Sequence, residues 1–132
     1  MTRPAEIDDY HRKLSPSDQE ICAVLATQIE LALPEAASKV WHAHPVWFLD
    51  GNPIVGYHRL KDAVRLMFWS AQSFGLPGLT ASGTFQAAEV RYDDVSEIDT
   101  EALAAWLAAG RDIQWDYEHI RTNRGLVKRT AF

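Results

Sequence analysis

The sequence predicts an α+β domain: an antiparallel sheet of about five strands, with N-terminal helices and a long C-terminal helix packed on one face. Three observations lead there. Apolar residues recur at helical spacing near the N-terminus, the middle of the chain changes to short runs of Val, Ile, Trp, Phe and Tyr, and a helical period returns after Ser96. The links between the middle runs are too short to hold crossover helices, so those strands must pair antiparallel.

Taken in order, Ile7, Tyr10, His11 and Leu14 predict a short helix over residues 6–14. Ser15-Pro16-Ser17-Asp18 then offers an N-cap, a proline at the first helical position and an acid three residues after the cap. The second helix that starts there carries Ile21, Val24, Leu25, Ile29, Ala32 and Leu33 as one stripe, and Pro34 ends it near residue 33. Cys22 lies near that stripe and reads as a small buried hydrophobe.

Strands are expected at residues 38–42, 46–50, 53–58, 63–69 and 84–92. Asp50-Gly51-Asn52 is a tight-turn signal that makes the second and third a hairpin. Residues 70–83, with Phe74-Gly75-Leu76-Pro77-Gly78-Leu79, read as an ordered connection too apolar for a free linker. In the fourth strand Val64, Leu66 and Phe68 share one face, while Arg65, Met67 and Trp69 share the other. If helices cover the first face, the second presents Trp69, Met67 and charged neighbours.

After Ser96, Leu103, Trp106, Leu107, Gly110, Ile113, Tyr117 and Ile120 track one helical face. One helix over residues 99–123 follows, with Gly110 costing up to about 1 kcal/mol relative to Ala and Gly125 as the stop. A break at Gly110 followed by a strand is the alternative, because Ile113, Trp115 and Tyr117 also alternate. The whole chain, 1–132, reads as a single domain.

Composition narrows the function classes. Of 132 residues, 47% are apolar, which is too many for intrinsic disorder, and no apolar run approaches the ~18 residues of a membrane helix. Thirteen basic residues against eighteen acidic ones give a net charge of -5, which disfavours nonspecific nucleic-acid or anionic-membrane partners. With Cys22 as the one cysteine, neither an intrachain disulfide nor a thiolate metal cluster forms. The first residues carry no apolar segment, and the expected location is cytoplasmic.

Three constellations stand out. In Trp41-His42-Ala43-His44-Pro45, a strand reading places His42 and His44 on one face, where two imidazoles present themselves to a metal, with His58 and Asp50 on the neighbouring hairpin. Asp93, Asp94, Glu97, Asp99 and Glu101 lie together without a cation. They serve either as helix-start acids or as a cation site that lacks the spacing of an EF-hand. The aromatic sheet face, with His42, His44, Tyr57, Lys61, Met67 and Trp69, has the make-up of a small-molecule site or a homodimer contact. His42, His44, Asp50, Lys61 and Asp116 are candidates for acid-base work, but no catalytic motif pairs them.

Leu33-Pro34-Glu35, Val40-Trp41-His42-Ala43-His44-Pro45-Val46, Asp50-Gly51-Asn52-Pro53 with Lys61 and Phe68-Trp69, Gly83-Thr84, Val90-Arg91-Tyr92 and Ile113-Gln114-Trp115-Asp116-Tyr117 together resemble the YdhG-like domain of unknown function across nearly the whole chain. Some members of that family are described as frataxin-like intracellular iron chaperones. The resemblance implies a compact α+β domain and, through the chaperones, a nonenzymatic protein that binds iron or another divalent metal. An acidic ridge for iron would have to be Asp93, Asp94 and Glu97 with their neighbours. Two departures matter. Phe85-Gln86-Ala87-Ala88 stands where such proteins carry a basic cluster that could hold an anion, and His44 stands where they carry Met or another apolar residue.

Overall fold

A computed structural model describes residues 3–83 and 85–129; Thr84, at the expected start of the fifth strand, lies outside the described residues. Helix α1 spans Ala5–Arg12 and α2 spans Pro16–Ala32. Ser15 caps α2 as its sequence demands, with Oγ accepting the Asp18 N–H at 3.2 Å. Six strands follow in one antiparallel sheet: β1 Ala37–Trp41, β2 His44–Leu49, β3 Asn52–Arg59, β4 Val64–Phe68, β5 Thr80–Ala81 and β6 Ala88–Tyr92. Their spatial order is β1-β2-β3-β4-β6-β5. The strand beyond the expected five is the two-residue β5, which arises within the 70–83 connection and pairs with β6. Trp106 holds that connection by donating its indole N–H to the Pro77 carbonyl at 3.0 Å.

Helix α3, Thr100–Asp112, is capped by Asp99, whose Oδ1 accepts the Glu101 and Ala102 N–H groups at 3.1 Å. The acids at this helix start therefore have a structural use. The helix does not continue to residue 123. It ends at Asp112, two residues past Gly110, and Ile113 is already extended. Gly110 remains helical and buried because it faces Ile54 and Phe74; a Cβ there would sit 3.2 Å from Ile54 Cγ2. Residues beyond form a narrow ribbon in which Trp115 bridges to Lys128. The alternation of Ile113, Trp115 and Tyr117 was thus the better guide over these few residues, although only an isolated bridge forms.

The three helices lie on one side of the sheet. Ile7, Ile21, Leu25, Ile29, Leu33, Leu103 and Leu107 meet Trp47, Val55, Tyr57, Leu66 and Phe68 in a single core. Cys22 packs there as a hydrophobe, and burial pushes its thiol up to about 12. One polar pair is buried with them: His11 Nε2 and the Tyr57 hydroxyl lie 2.5 Å apart. Burial, then the charge of Arg3, lowers the affinity of His11 for protons. At the sheet edge, Glu6 Oε1 accepts the Val40 N–H at 3.0 Å, which shields part of β1 from pairing with another chain. Among the described residues, no helix is long and apolar enough to cross a membrane.

Two predictions follow from this packing. At Gly56 in β3, a Cβ would meet the Pro45 carbonyl oxygen at 2.6 Å and the Trp69 ring at 3.4 Å. Backbone cannot give way as a side chain can, so Gly56→Ala should cost about 1–3 kcal/mol in urea unfolding. A loss under ~0.5 kcal/mol would contradict this geometry. The second concerns pH. Because folding depresses the His11 pKa below its ordinary value of 6.5, the unfolded chain binds the extra proton more readily. His11-linked stability is therefore present above that value and is lost as pH falls through it toward the lower folded value. His11→Gln, which can still pair with Tyr57, should shrink the fall in urea midpoint between about pH 7.5 and about pH 5; an unchanged fall would rule His11 out as its source.

Candidate functional site

The second face of the sheet has two ends with different fates. Near the β2–β3 turn it is closed by the chain itself. Val46, Phe48 and Trp69 form a small apolar cluster, and Trp41, Met67 and Tyr117 pack against it. Trp41 meets Phe48 edge-on at 5.4 Å and lies 6.2 Å from Trp69. Trp69 is only 9% exposed, so the expectation of a freely presented tryptophan is corrected: the segment after α3 returns across this end.

That return is fixed by polar contacts. Asn52, fully buried at the start of β3, donates Nδ2 to Gln114 Oε1 at 3.2 Å and to the Trp115 carbonyl at 2.9 Å. Its Oδ1 accepts the Tyr117 and Glu118 N–H groups at 2.9 and 3.1 Å. Ser70 Oγ accepts the Trp115 N–H at 2.9 Å, and Ser73 Oγ accepts its indole N–H at the same distance. The Glu118 carboxylate lies over Gly51, whose positive φ of 81° belongs to the tight β2–β3 turn.

The opposite end of this face stays open, and there the register lines up four nitrogen-bearing side chains. His58 pairs with Arg65 across β3 and β4, and Arg65 pairs with Arg91 across β4 and β6. His44 on β2 stacks on His58 with ring centroids 5.1 Å apart. Trp41 pairs with His44 and ends the row. One carboxylate answers the two arginines: Glu89 accepts from Arg91 Nε at 2.7 Å and lies 3.8 Å from an Arg65 terminal nitrogen. Burial alone would raise Glu89, but hydrogen bonds from Arg91 and Ser82 and the arginine charges hold it below the usual carboxylate range. Among the described residues, no hydrogen-bond partner meets the buried Arg65 Nε. Burial lowers the proton affinity of both imidazoles, helped by His58 and then Arg65 at His44 and by Arg65 at His58.

The remaining candidates fall elsewhere. His42 and His44 do not share a strand face, because His42 and Ala43 form a two-residue turn with φ of 51° and 71° that joins β1 to β2. His42 leaves the sheet, and its carbonyl lies 3.0 Å from His44 Nδ1. Neither residue is a glycine, which is why the sequence concealed the turn. Tyr57 faces the core, paired with Leu66, and not the open face. Lys61 is exposed in the link between β3 and β4, and Asp50 is exposed in the β2–β3 turn. Met67 is half-buried at the centre of the second face.

Two of the proposed carboxylate donors, Asp94 and Glu97, are engaged locally. Glu97 Oε1 accepts the Asp93 and Asp94 N–H groups, and Asp94 Oδ2 accepts the Ser96 N–H, so Asp94 and Glu97 cap a short turn in place of facing a common ion. A group that the sequence did not bring together is Asp116, Glu118 and His119, whose ligand atoms lie within 4.8 Å of one another. There, too, the donors serve each other: His119 Nδ1 lies 3.1 Å from both Asp116 oxygens, and Asp116 also accepts the His119 N–H. The Asp116, Glu118 and His119 donors thus have the spacing of an ion site but are mostly exposed and bonded among themselves. The row of His58, Arg65 and Arg91 escaped sequence reading because its members come from three strands; only the register joins them.

No family model and no curated protein matches the chain. Among solved structures, a DUF1801-family protein from Bacillus subtilis, YdhG, matches with a TM-score of 0.60 and 14% identity, over 78% of this chain and 86% of that one. At that identity the likeness is one of fold, and it agrees with helices on one face of an antiparallel sheet.

Asn52 should therefore control the closed end of the face. Asn52→Ala removes four hydrogen bonds to residues 114–118, some of whose groups keep a second partner, and should cost about 1–3 kcal/mol. Tryptophan emission should shift to the red, and protease should cleave faster within residues 115–127. Unchanged cleavage at that segment would show that other contacts hold it.

Proposed function

We propose that this chain is a small-molecule-binding module whose ligand lies on the open end of the second sheet face. The observation that carries the reading is the cross-strand row of His44, His58, Arg65 and Arg91 beside the half-buried Trp41 and Met67. A few placed polar groups next to apolar surface is the usual make-up of a small-ligand site. A binding role is favoured over catalysis because, among the described residues, no carboxylate orients either imidazole as a base: His44 Nδ1 is directed at a backbone carbonyl, and His58 stacks on His44. The iron-chaperone reading that the family resemblance implies has less support here, since Asp94 and Glu97 of its acidic ridge accept backbone N–H groups at a turn.

A thermal-shift screen of anionic and aromatic metabolites tests this. A ligand at 100 times its Kd adds about 2.7 kcal/mol, which for a domain of this size raises Tm by roughly 8 °C. The rise should disappear in Trp41→Ala. If ferrous iron or zinc binds saturably and no metabolite shifts the transition, the metal reading replaces this one. If Met67→Glu instead splits a dilution-resistant dimer, the face is a contact between two copies of the chain.

A further inference from the structure

We propose that His44, His58, Arg65 and Arg91 form a site for a small tetrahedral oxyanion, such as the phosphate group of a small metabolite. This rests on the reading of the open face as a ligand site and names the chemistry of what binds there.

Cross-strand neighbours stand about 5 Å apart at Cβ, and like charges placed directly opposite destabilise a sheet. Arg65 opposite Arg91 is such a pair. Glu89 offsets one charge, and its closer bond is to Arg91, at 2.7 Å against 3.8 Å to Arg65. Among the described residues, Arg65 is left with a buried Nε–H that finds no acceptor and with one long ion pair to share. A guanidinium in that state is a fork without its carboxylate or phosphate, and a bidentate oxyanion is the partner that fits the fork. His58 stands on the neighbouring strand, directly opposite Arg65, and His44 stacks behind it. An oxyanion over Arg65 therefore has an imidazole on one side and a second guanidinium on the other.

Size and charge point to a small ligand. Four strand spacings of about 4.8 Å separate Trp41 from Arg91, a span suited to a phosphate at the arginine end and an apolar body toward Trp41. The chain as a whole is acidic, with a net charge of -5, which disfavours the long phosphate backbone of a nucleic acid.

The imidazoles link binding to protons. The groups that face them are Arg65 from β4, Arg91 and Glu89 from β6, Trp41 and Lys39 from β1 and His42 from the turn; Glu89 is the one acid among them. A bound oxyanion supplies the negative charge this neighbourhood lacks, so each imidazole gains a proton more readily in the complex. By linkage the oxyanion binds more tightly as pH falls.

The test is a titration of the full chain with inorganic phosphate, sulfate, phenyl phosphate and phenol, read by imidazole NMR shifts and by calorimetry. Sulfate stays dianionic between about pH 5.5 and about pH 7.5, so its affinity reports the protein's protonation alone. We expect saturable shifts at His44 and His58 with sulfate and phosphate, and sulfate binding about tenfold tighter at the lower pH. Arg65→Gln should weaken binding at least about tenfold, Arg65→Lys should weaken it less, and His44→Gln/His58→Gln should abolish the pH dependence. The two arginine variants guard against a folding artefact, which would affect both alike. Binding that is equal in Arg65→Gln and the parent overturns the proposal. If phenol shifts Trp41 but neither oxyanion binds, the oxyanion site is overturned and the ligand-binding face survives; if none of the four binds, both fall.

Discussion

The side-chain amide of Asn52 decides which part of the sheet is open. It is fully buried, and its two donor and two acceptor contacts all go to residues 114–118. Hydrogen bonds contribute about 1 kcal/mol each when made, but a buried amide left unpaired costs more, so this arrangement is nearly all-or-none. The chain after α3 cannot remain helical and also bring the Gln114 side chain and the Trp115, Tyr117 and Glu118 backbone groups to one asparagine. It leaves the helix, crosses the end of the sheet and seats Tyr117 beside Trp69. One polar side chain thus sets the end of a helix, the burial of an aromatic cluster and the limit of the exposed surface.

Charge is distributed by a second constraint. Asp94, Glu97 and Asp99, three of the acids that look most like a cation site, serve as caps at the turn before α3 and at α3 itself, where unpaired backbone N–H groups need acceptors. Bases, by contrast, are aligned by strand register on a face where acceptors are scarce. An acidic protein thus carries, among its described residues, a basic and incompletely paired row on one face of its sheet.

The core was legible because burial follows period. The stripe on α2, the alternation of Val64, Leu66 and Phe68, and the Ser15 and Asp99 caps all act over a few residues, and a few residues suffice to read them. The β1–β2 turn was not legible, since His42 and Ala43 adopt positive φ without a glycine to announce it, and the error moved His42 off the face it was assigned to. Tyr57 was misplaced with the open-face residues even though its own alternation with Gly56 and His58 puts it in the core. The continuous apolar period across Gly110 was misleading: Ile113 and Tyr117 are apolar because they pack, not because they are helical.

By itself, then, the chain determined its class, its helix starts, its antiparallel pairing and the side of the sheet that helices cover, because each follows from local periodicity and the need to bury one face. Tertiary structure alone decided the length of the last helix, the closure of half the second face and the row of His44, His58, Arg65 and Arg91. Those features depend on which residues distant in sequence become neighbours, and strand register and a buried amide fix that only when the whole chain is folded.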